Sequence, residues 1–195
     1  MAVELESFLE QRGKKEQLAE IRKITQLIQV SYVRQGEPLG LGHAVLVARN
    51  LVGDEPFGVI LGDDVIDAKP PALGQMTDVF ERVGGPVLAV ERVPMEDVSS
   101  YGVVATDESA DLGRGVHRIT DLVEKPRRDE APSNLAIIGR YILTPDIFTS
   151  LEATARDRTG ATPATGPERA GTCTAVCAAT RGPNHPGERR ARRHG

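Results

Sequence analysis

Two adjacent carboxylates follow a short apolar run, and their position suits metal binding. Asp63 and Asp64 follow residues 57–61, which are Phe-Gly-Val-Ile-Leu, with one glycine between. A continuous apolar run of this length is typical of a strand that is buried on both faces in a parallel sheet. Carboxylates at the carboxyl end of such a strand can hold Mg²⁺ and leave coordination positions for phosphate and water. The alternative is an aspartate that caps the next turn.

A second group of residues has the chemistry to hold a sugar phosphate. Glu124, Lys125 and Pro126 follow a predicted strand that ends at Val123. The glutamate can accept hydrogen bonds from vicinal hydroxyls and the lysine can neutralise a phosphate, although these residues are also common surface composition. Gly102 would admit a sugar ring against backbone that any side chain would block.

Three glycines precede a predicted helix at residues 43–51. They lie in residues 35–42, Gln-Gly-Glu-Pro-Leu-Gly-Leu-Gly, and they let the backbone approach a ligand and offer N–H groups to an anion or a base. The same pattern is often only a turn between a strand and a helix. The amide of Gln35 has both a donor and an acceptor for a nucleobase edge. We interpret His43 as a structural residue.

The apolar spacing predicts the elements that position these residues. Residues 1–28 have a helical pattern divided at Gly13, and residues 28–32 alternate as a strand with one covered face does. Further helices are predicted around residues 73–83 and after Thr144. Further strands are predicted at residues 57–61, 86–93, 101–105, 116–123 and 135–143. In an α/β protein the polar segments then fall at strand ends, where open sheets bind ligands, and together they indicate a sugar-nucleotide surface.

Composition and charge exclude several functions. Residues 152–195 contain eight arginines and four acidic residues, although the formal net charge of the whole chain is −4. Residues 1–151 are therefore strongly acidic, and we expect that this part does not bind nucleic acid. No apolar run approaches the ~20 residues that cross a bilayer, and the N-terminus does not resemble a leader, so we expect a cytoplasmic protein without membrane contact. Cys173 and Cys177 lack a second ligand pair, and we expect idle thiols.

Three longer stretches resemble one family closely. They are residues 32–45, 61–64 and 131–141. In this order they are similar to the bacterial UTP:glucose-1-phosphate uridylyltransferases, also called UDP-glucose pyrophosphorylases, over about residues 5–152. The resemblance implies an α/β, Rossmann-like nucleotidyltransferase fold with a mixed, mainly parallel sheet that is incomplete at both ends. Residues 1–152 would form the partial nucleotidyltransferase domain.

The resemblance also implies roles for individual residues. Asp63 would hold Mg²⁺, and Asp63 and Lys125 would be catalytic. UTP, glucose 1-phosphate and UDP-glucose are the implied partners, and full-length relatives are expected to be homo-oligomers. Catalysis would depend on alignment and charge neutralisation during in-line attack of the sugar phosphate on the α-phosphorus of UTP. The implied binding residues are Gln35 and Gly40 for the nucleotide, and Gly102, Glu124, Lys125 and Ile137 for the sugar phosphate.

Two departures from the family pattern shape the expected activity. The chain starts downstream of the family's first strand and glycine-rich phosphate loop, so we expect absent or very weak turnover. Residues 153–195, rich in Arg, Ala, Gly, Pro and Thr, are predicted to be a disordered tail, and we hypothesise that a reading-frame change produced it. Three hypotheses therefore compete: a uridylyltransferase by descent, a non-catalytic sugar-nucleotide or partner-binding module, and an inactive truncated remnant.

Overall fold

A computed structural model describes residues 2–157 and 175–178 of the chain. The chain divides into two compact units, Met1–Pro38 and Leu39–Gly195, and each is described by itself. The predicted boundary between a domain at residues 1–152 and a tail stays a prediction. Most of that tail lies outside the described residues, but Ala175–Ala178 form a strand. Cys173 is outside the described residues, and only the backbone of Cys177 is described.

The first unit is a helical hairpin followed by an irregular segment. Helix α1 covers Ala2–Gln11 and helix α2 covers Lys15–Thr25, so the predicted division near Gly13 is confirmed. Gly13 has a φ of +65°, which favours glycine in the turn between the helices. The predicted strand at residues 28–32 is absent from the described structure. An alternating pattern forms a strand only where a neighbouring backbone completes its hydrogen bonds, and the side chains here are exposed.

The second unit combines one six-stranded sheet with flanking helices. The predicted helix at residues 43–51 is present as two short helices that begin slightly earlier in the chain. The order of elements is α3 (Leu41–Val47), α4 (Arg49–Val52), β1 (Phe57–Ile60), α5 (Ala72–Val83), β2 (Val87–Arg92), a 3₁₀ turn (Val98–Ser100), β3 (Gly102–Asp107), β4 (Val116–Glu124), β5 (Leu135–Leu143), α6 (Asp146–Asp157) and β6 (Ala175–Ala178).

The prediction of a mainly parallel sheet is wrong. The strand order is β1-β5-β2-β6-β4-β3, and among the described strands only β2 and β6 pair in parallel. Strand β5 runs antiparallel to both β1 and β2, and β3 and β4 form an antiparallel pair. The apolar run at residues 57–61 suggested a strand buried on both faces, but β1 lies at the sheet edge and Ile60 is 58% exposed. Apolar content alone did not reveal strand direction.

Two apolar clusters cover the two faces of the sheet. On one face, Met76 and Val79 of α5 pack on Val87, Ala89 and Ile142, all of them buried. The spacing of apolar residues along α5 matches the helical repeat, which explains why this helix seats on the sheet. The cluster on the other face consists of Leu88, Val90, Val104, Ile119 and Leu135, with Ile137 and Tyr141 packed against it. Strand β5 contributes to both clusters, so its residues are fixed from both sides.

The helix after β5 packs on the edge strand. The rings of Phe57 and Phe148 stack with centroids 5.3 Å apart and an angle of 4° between their planes. The predicted start near Thr144 is confirmed, since α6 begins at Asp146 and the N–H of Ile147 donates to the carbonyl of Thr144. An acidic residue in this first turn also matches the positive end of the helix dipole.

Candidate functional site

The first part of the candidate site is the Asp63 loop, residues 61–64, which follows strand β1. The N–H of Leu61 donates to the carbonyl of Gly139 at 2.9 Å, which continues the pairing with β5 for one more residue. The Asp64 carboxylate accepts a hydrogen bond from the N–H of Gly139 at 3.0 Å. Asp63 lies between these two anchored positions and is exposed. The loop therefore presents one free-standing carboxylate above the sheet edge and uses the other to attach itself to β5.

The second part is the Gly102 corner, which consists of Gly102, Glu124, Lys125 and Ile137. Gly102 and Glu124 are cross-strand partners where β3 begins and β4 ends. A Cβ atom on Gly102 would lie 3.1 Å from Oε2 of Glu124 and 3.4 Å from Cδ1 of Ile137. These three predicted sugar-phosphate residues, which come from three different strands, therefore meet at one point.

Lys125 completes the corner in an unusual backbone conformation. Its φ of +47° is in the left-handed region, where a residue with a Cβ atom is disfavoured by about 1–2 kcal/mol. The N–H of Lys125 donates to the carbonyl of Tyr101 at 2.9 Å, which fixes this turn against the start of β3. Its Nζ lies 3.9 Å from Oε1 of Glu124, and both side chains are mostly exposed. Residues in strained backbone conformations cluster at active sites and ligand clamps, so this conformation makes Lys125 a candidate for function.

Tyr141 of β5 connects the two parts. This half-buried phenol has a pKa raised above 10.0, first by burial and then by the negative charges of Asp64, Glu124 and Asp63. Two of these carboxylates belong to the Asp63 loop and one to the Gly102 corner. Because all three act on one hydroxyl group, the loop and the corner share an electrostatic environment around Tyr141.

The Asp63 loop fits a divalent cation that also binds substrate phosphates. Among residues 4–154 there is no group of three or more His, Cys, Asp and Glu side chains that could hold a metal ion. A magnesium site does not require such a group, because this ion keeps several waters and commonly uses one or two carboxylates together with phosphate oxygens. Asp63 supplies an exposed carboxylate of this kind, and the attached Asp64 carboxylate lies next to it.

The predicted nucleotide-binding residues fall in different units. Gln35 is half-buried in the irregular segment of the first unit. Gly40 begins the second unit's α3 with a φ of +93°, and a Cβ atom there would meet open space. Gly42 lies inside α3, where a Cβ atom would come within 2.9 Å of Cδ2 of Leu151 on α6. Packing against Leu151 therefore accounts for a glycine at position 42, and the nucleotide-binding roles of Gln35 and Gly40 stay predictions.

Sequence reasoning did not assign a role to three residues that build this site. They are Gly139, Arg140 and Tyr141, and all three lie on β5. One signal was available: with a strand period of two, Arg140 shares a row with Ile138 and Ile142, and a charged residue in an apolar row needs buried partners. The contacts that satisfy it involve residues more than seventy positions away in the sequence.

The chain whose mixed sheet carries the Asp63 loop and the Gly102 corner matches a known protein family. Residues 5–176 match the profile of the family described as "Nucleotidyl transferase". The chain belongs to the nucleotidyl transferase family, whose members generally use divalent metal ions. None of the helices within the described residues has both the length and the apolar character that crossing a membrane requires.

Individual relatives point to one branch of this family. The chain is 48% identical over 155 residues to the UTP–glucose-1-phosphate uridylyltransferase YngB of Bacillus subtilis, covering 80% of this chain and 51% of that protein. A solved UDP-glucose pyrophosphorylase complexed with UDP-glucose is 47% identical with a TM-score of 0.67, over 73% of this chain and 54% of that one. A UTP-bound UGPase from Acinetobacter baumannii is 34% identical with a TM-score of 0.70, over 90% and 62%. The predicted resemblance is confirmed, and the chain spans about half the length of the curated relatives it matches.

Proposed function

We propose that this chain carries the sugar-nucleotide site of a UTP:glucose-1-phosphate uridylyltransferase. One observation carries the proposal: the Asp63 loop and the Gly102 corner both contact strand β5, the loop where the N–H of Gly139 donates to the Asp64 carboxylate and the corner at Ile137, two residues earlier in the chain. A metal-binding carboxylate near a sugar-phosphate pocket is the arrangement that nucleotidyl transfer to a sugar phosphate requires. The names of relatives that are 47–48% identical support this choice of substrates.

In the proposed reaction, a phosphate oxygen of glucose 1-phosphate forms a bond to the α-phosphorus of UTP. The bond between that phosphorus and the oxygen bridging to the β-phosphate breaks, and pyrophosphate leaves with the electron pair. The products are UDP-glucose and pyrophosphate. Alignment of the attacking oxygen with the leaving oxygen is the main requirement on the protein, since no covalent protein intermediate is needed.

Each part of the site has a role in this scheme. Asp63 would hold Mg²⁺, and the ion when bound supplies positive charge beside the phosphoryl oxygens. Lys125 would neutralise the sugar phosphate, while Glu124 accepts hydrogen bonds from sugar hydroxyls. Gly102 admits the sugar ring against the backbone, and Ile137 packs on it. Gln35 and Gly40 would contact the uracil end. All of these assignments follow from the resemblance together with the chemistry of the side chains.

The main test is binding, and turnover is the second measurement. UDP-glucose with Mg²⁺ should raise the melting temperature of the purified protein, and UDP-galactose, which differs at one hydroxyl, serves as the matched comparison. Release of pyrophosphate from UTP and glucose 1-phosphate is then measured under the same conditions. Binding without turnover would favour a non-catalytic sugar-nucleotide module. A protein that neither binds UDP-glucose nor releases pyrophosphate would overturn the proposal. A cytoplasmic location, and homo-oligomers among full-length relatives, remain parts of the same proposal.

A further inference from the structure

We propose that Arg140 is a positioning residue that holds the Asp63 carboxylate in place for the metal, by fastening the backbone on both sides of it. The inference rests on the proposed function, because it assigns a role within the same site. Arg140 does not contact the substrate in this scheme. It acts through the Asp63 loop, and its contribution should therefore be seen in metal affinity.

The contacts of Arg140 bracket Asp63. Nη1 of Arg140 donates to the carbonyl of Leu61 at 2.9 Å and to the carbonyl of Gly139 at 2.7 Å. Nη2 donates to the carbonyl of Asp64. Leu61 and Asp64 are the first and last residues of the loop, so a single guanidinium group joins both of its ends. Only Gly62 and Asp63 lie between the two fastened positions, and little freedom remains for the Asp63 backbone.

A second connection holds the loop from the other side. The carboxylate of Asp64 accepts from the N–H of Gly139, and the carbonyl of Gly139 accepts from the N–H of Leu61. A Cβ atom on Gly139 would lie 2.7 Å from Cβ of Leu61 and 2.8 Å from Oδ2 of Asp64. Contacts that short do not occur, so any side chain at position 139 would displace the loop. Gly139 and Arg140 together therefore hold the Asp63 loop against β5.

A β-bulge in β5 places Gly139 and Arg140 next to the Asp63 loop. The register between β2 and β5 shifts between Leu88, which faces Tyr141, and Val90, which faces Ile137. Residues 138–140 of β5 therefore stand opposite a single residue of β2. Bulges of this kind redirect side chains and are common beside active sites. This register shift accounts for the position of the Arg140 side chain, which is buried and yet reaches the carbonyls of Leu61 and Asp64 after the end of β1.

The burial of Arg140 argues that these bonds are more than incidental. Its relative exposure is only 9%, and a buried charge is costly unless hydrogen bonds replace its hydration. The guanidinium group is planar and presents several donors in a fixed fork, which lets it bind carbonyls on two separate residues at once. A lysine has one compact ammonium group and cannot hold both ends of the loop with the same geometry. An apolar residue would fill the space but leave the loop carbonyls without these donors.

The test measures Mn²⁺ binding in the presence of UDP-glucose, followed by the loss of the free-ion signal in electron paramagnetic resonance. Arg140→Gln should weaken Mn²⁺ binding by about tenfold, the lower end of the range for residues that orient metal ligands. Arg140→Lys should restore the charge and only part of the affinity. Arg92→Gln is the matched control, because Arg92 on β2 bonds the side chain of Asn134 instead of the loop.

A purely structural role for Arg140 predicts a different pattern. It would lower the melting temperature of Arg140→Gln while leaving the Mn²⁺ affinity of the folded fraction at the wild-type value, and that result would overturn the inference. If Arg140→Gln does not fold, Arg140→Lys decides, since it should bind Mn²⁺ severalfold more weakly than wild type. Wild-type affinity in that variant would also overturn the inference. A wild-type protein that binds no Mn²⁺ with UDP-glucose overturns the proposed function itself, and the two failures are thereby distinguished.

Discussion

The Asp63 loop and the Gly102 corner are held in place by different means. The loop is fastened by side-chain bonds to its backbone from the buried Arg140 and by the Asp64 carboxylate. The corner is built by a β-ladder, and its charged side chains, Glu124 and Lys125, are exposed and joined only by an ion pair at 3.9 Å. An exposed ion pair of this kind contributes little to stability.

This difference indicates which kind of binding a substitution in each part should affect. A loop fastened by buried hydrogen bonds holds its carboxylate rigidly, so substitutions behind it should act on metal binding at a distance. The corner leaves Glu124 and Lys125 free to move toward a ligand, so substitutions there should act directly on sugar-phosphate binding. A fixed carboxylate for the proposed metal and mobile side chains for the proposed sugar phosphate can occur in one site, because the loop after β1 carries the first and the end of β4 carries the others.

The largest expected effect comes from Asp63→Asn, which removes the exposed carboxylate. The gain in UDP-glucose affinity on adding Mg²⁺ should fall by on the order of tenfold or more, because a neutral amide is a poor ligand for this hard cation. Titration calorimetry with Mg²⁺ and with a chelator measures the gain. Asp67→Asn is the control, since Asp67 is an exposed carboxylate four positions further along the chain. An unchanged metal response in Asp63→Asn would remove this residue from the site.

The next effect concerns the charge of Lys125. Lys125→Ala should weaken UDP-glucose binding by roughly tenfold while the metal response is retained, because a charge-assisted contact to phosphate is lost. Lys125→Gly loses the same ammonium group but relieves the backbone at a φ of +47°. Calorimetry should therefore show equal losses of affinity in the two variants, and thermal unfolding should show the glycine variant to be the more stable. Retained affinity in both would exclude a phosphate contact.

Local pattern predicted most of the regular elements in the second unit. Strand β5 was predicted at residues 135–143 and forms there, and β4 differs from its prediction by one residue. In both strands β-branched and apolar residues recur at short intervals, and the signal is local. Strand direction is not local, since it depends on which backbone lies alongside. That is why the antiparallel pairing of β1 with β5 was missed.

Residue type and turn position suggested the exposed candidates for this site, and the contacts of the folded chain added the buried Arg140. Asp63, Glu124 and Lys125 stand next to turns and carry ligand chemistry that can be recognised from residue type. A charge in an apolar row of β5 indicates that Arg140 needs buried partners, but it does not say which ones, because only folding brings the carbonyls of Leu61 and Asp64 near. Residues that position a ligand through the backbone are therefore found from contacts.

A smaller effect on UDP-glucose affinity is expected from a substitution of Gly102. In Gly102→Ala the new methyl group would lie 3.1 Å from Oε2 of Glu124, and the flexible end of that side chain can move away. The fold should persist and UDP-glucose affinity should fall by about threefold, within the range for loss of one modest contact. Gly74→Ala on the exposed side of α5 is the matched control, since a Cβ atom there meets nothing within 4 Å. It should leave affinity unchanged and add about 0.5–1 kcal/mol of stability.

The smallest effect tests whether the loop and the corner share one environment at Tyr141. Ultraviolet titration should reveal a phenol that ionises above 10.0, and Tyr141→Phe should abolish that component. Because folding raises this pKa, the stabilisation is complete below pH 10 and is lost as the pH rises through the folded-state value. Asp63→Asn and Glu124→Gln should each lower the pKa of Tyr141 slightly, since each removes a negative charge that disfavours the phenolate. A response to only one of these substitutions would mean that the two parts are electrostatically separate, and the single site proposed for this chain would then have to be divided.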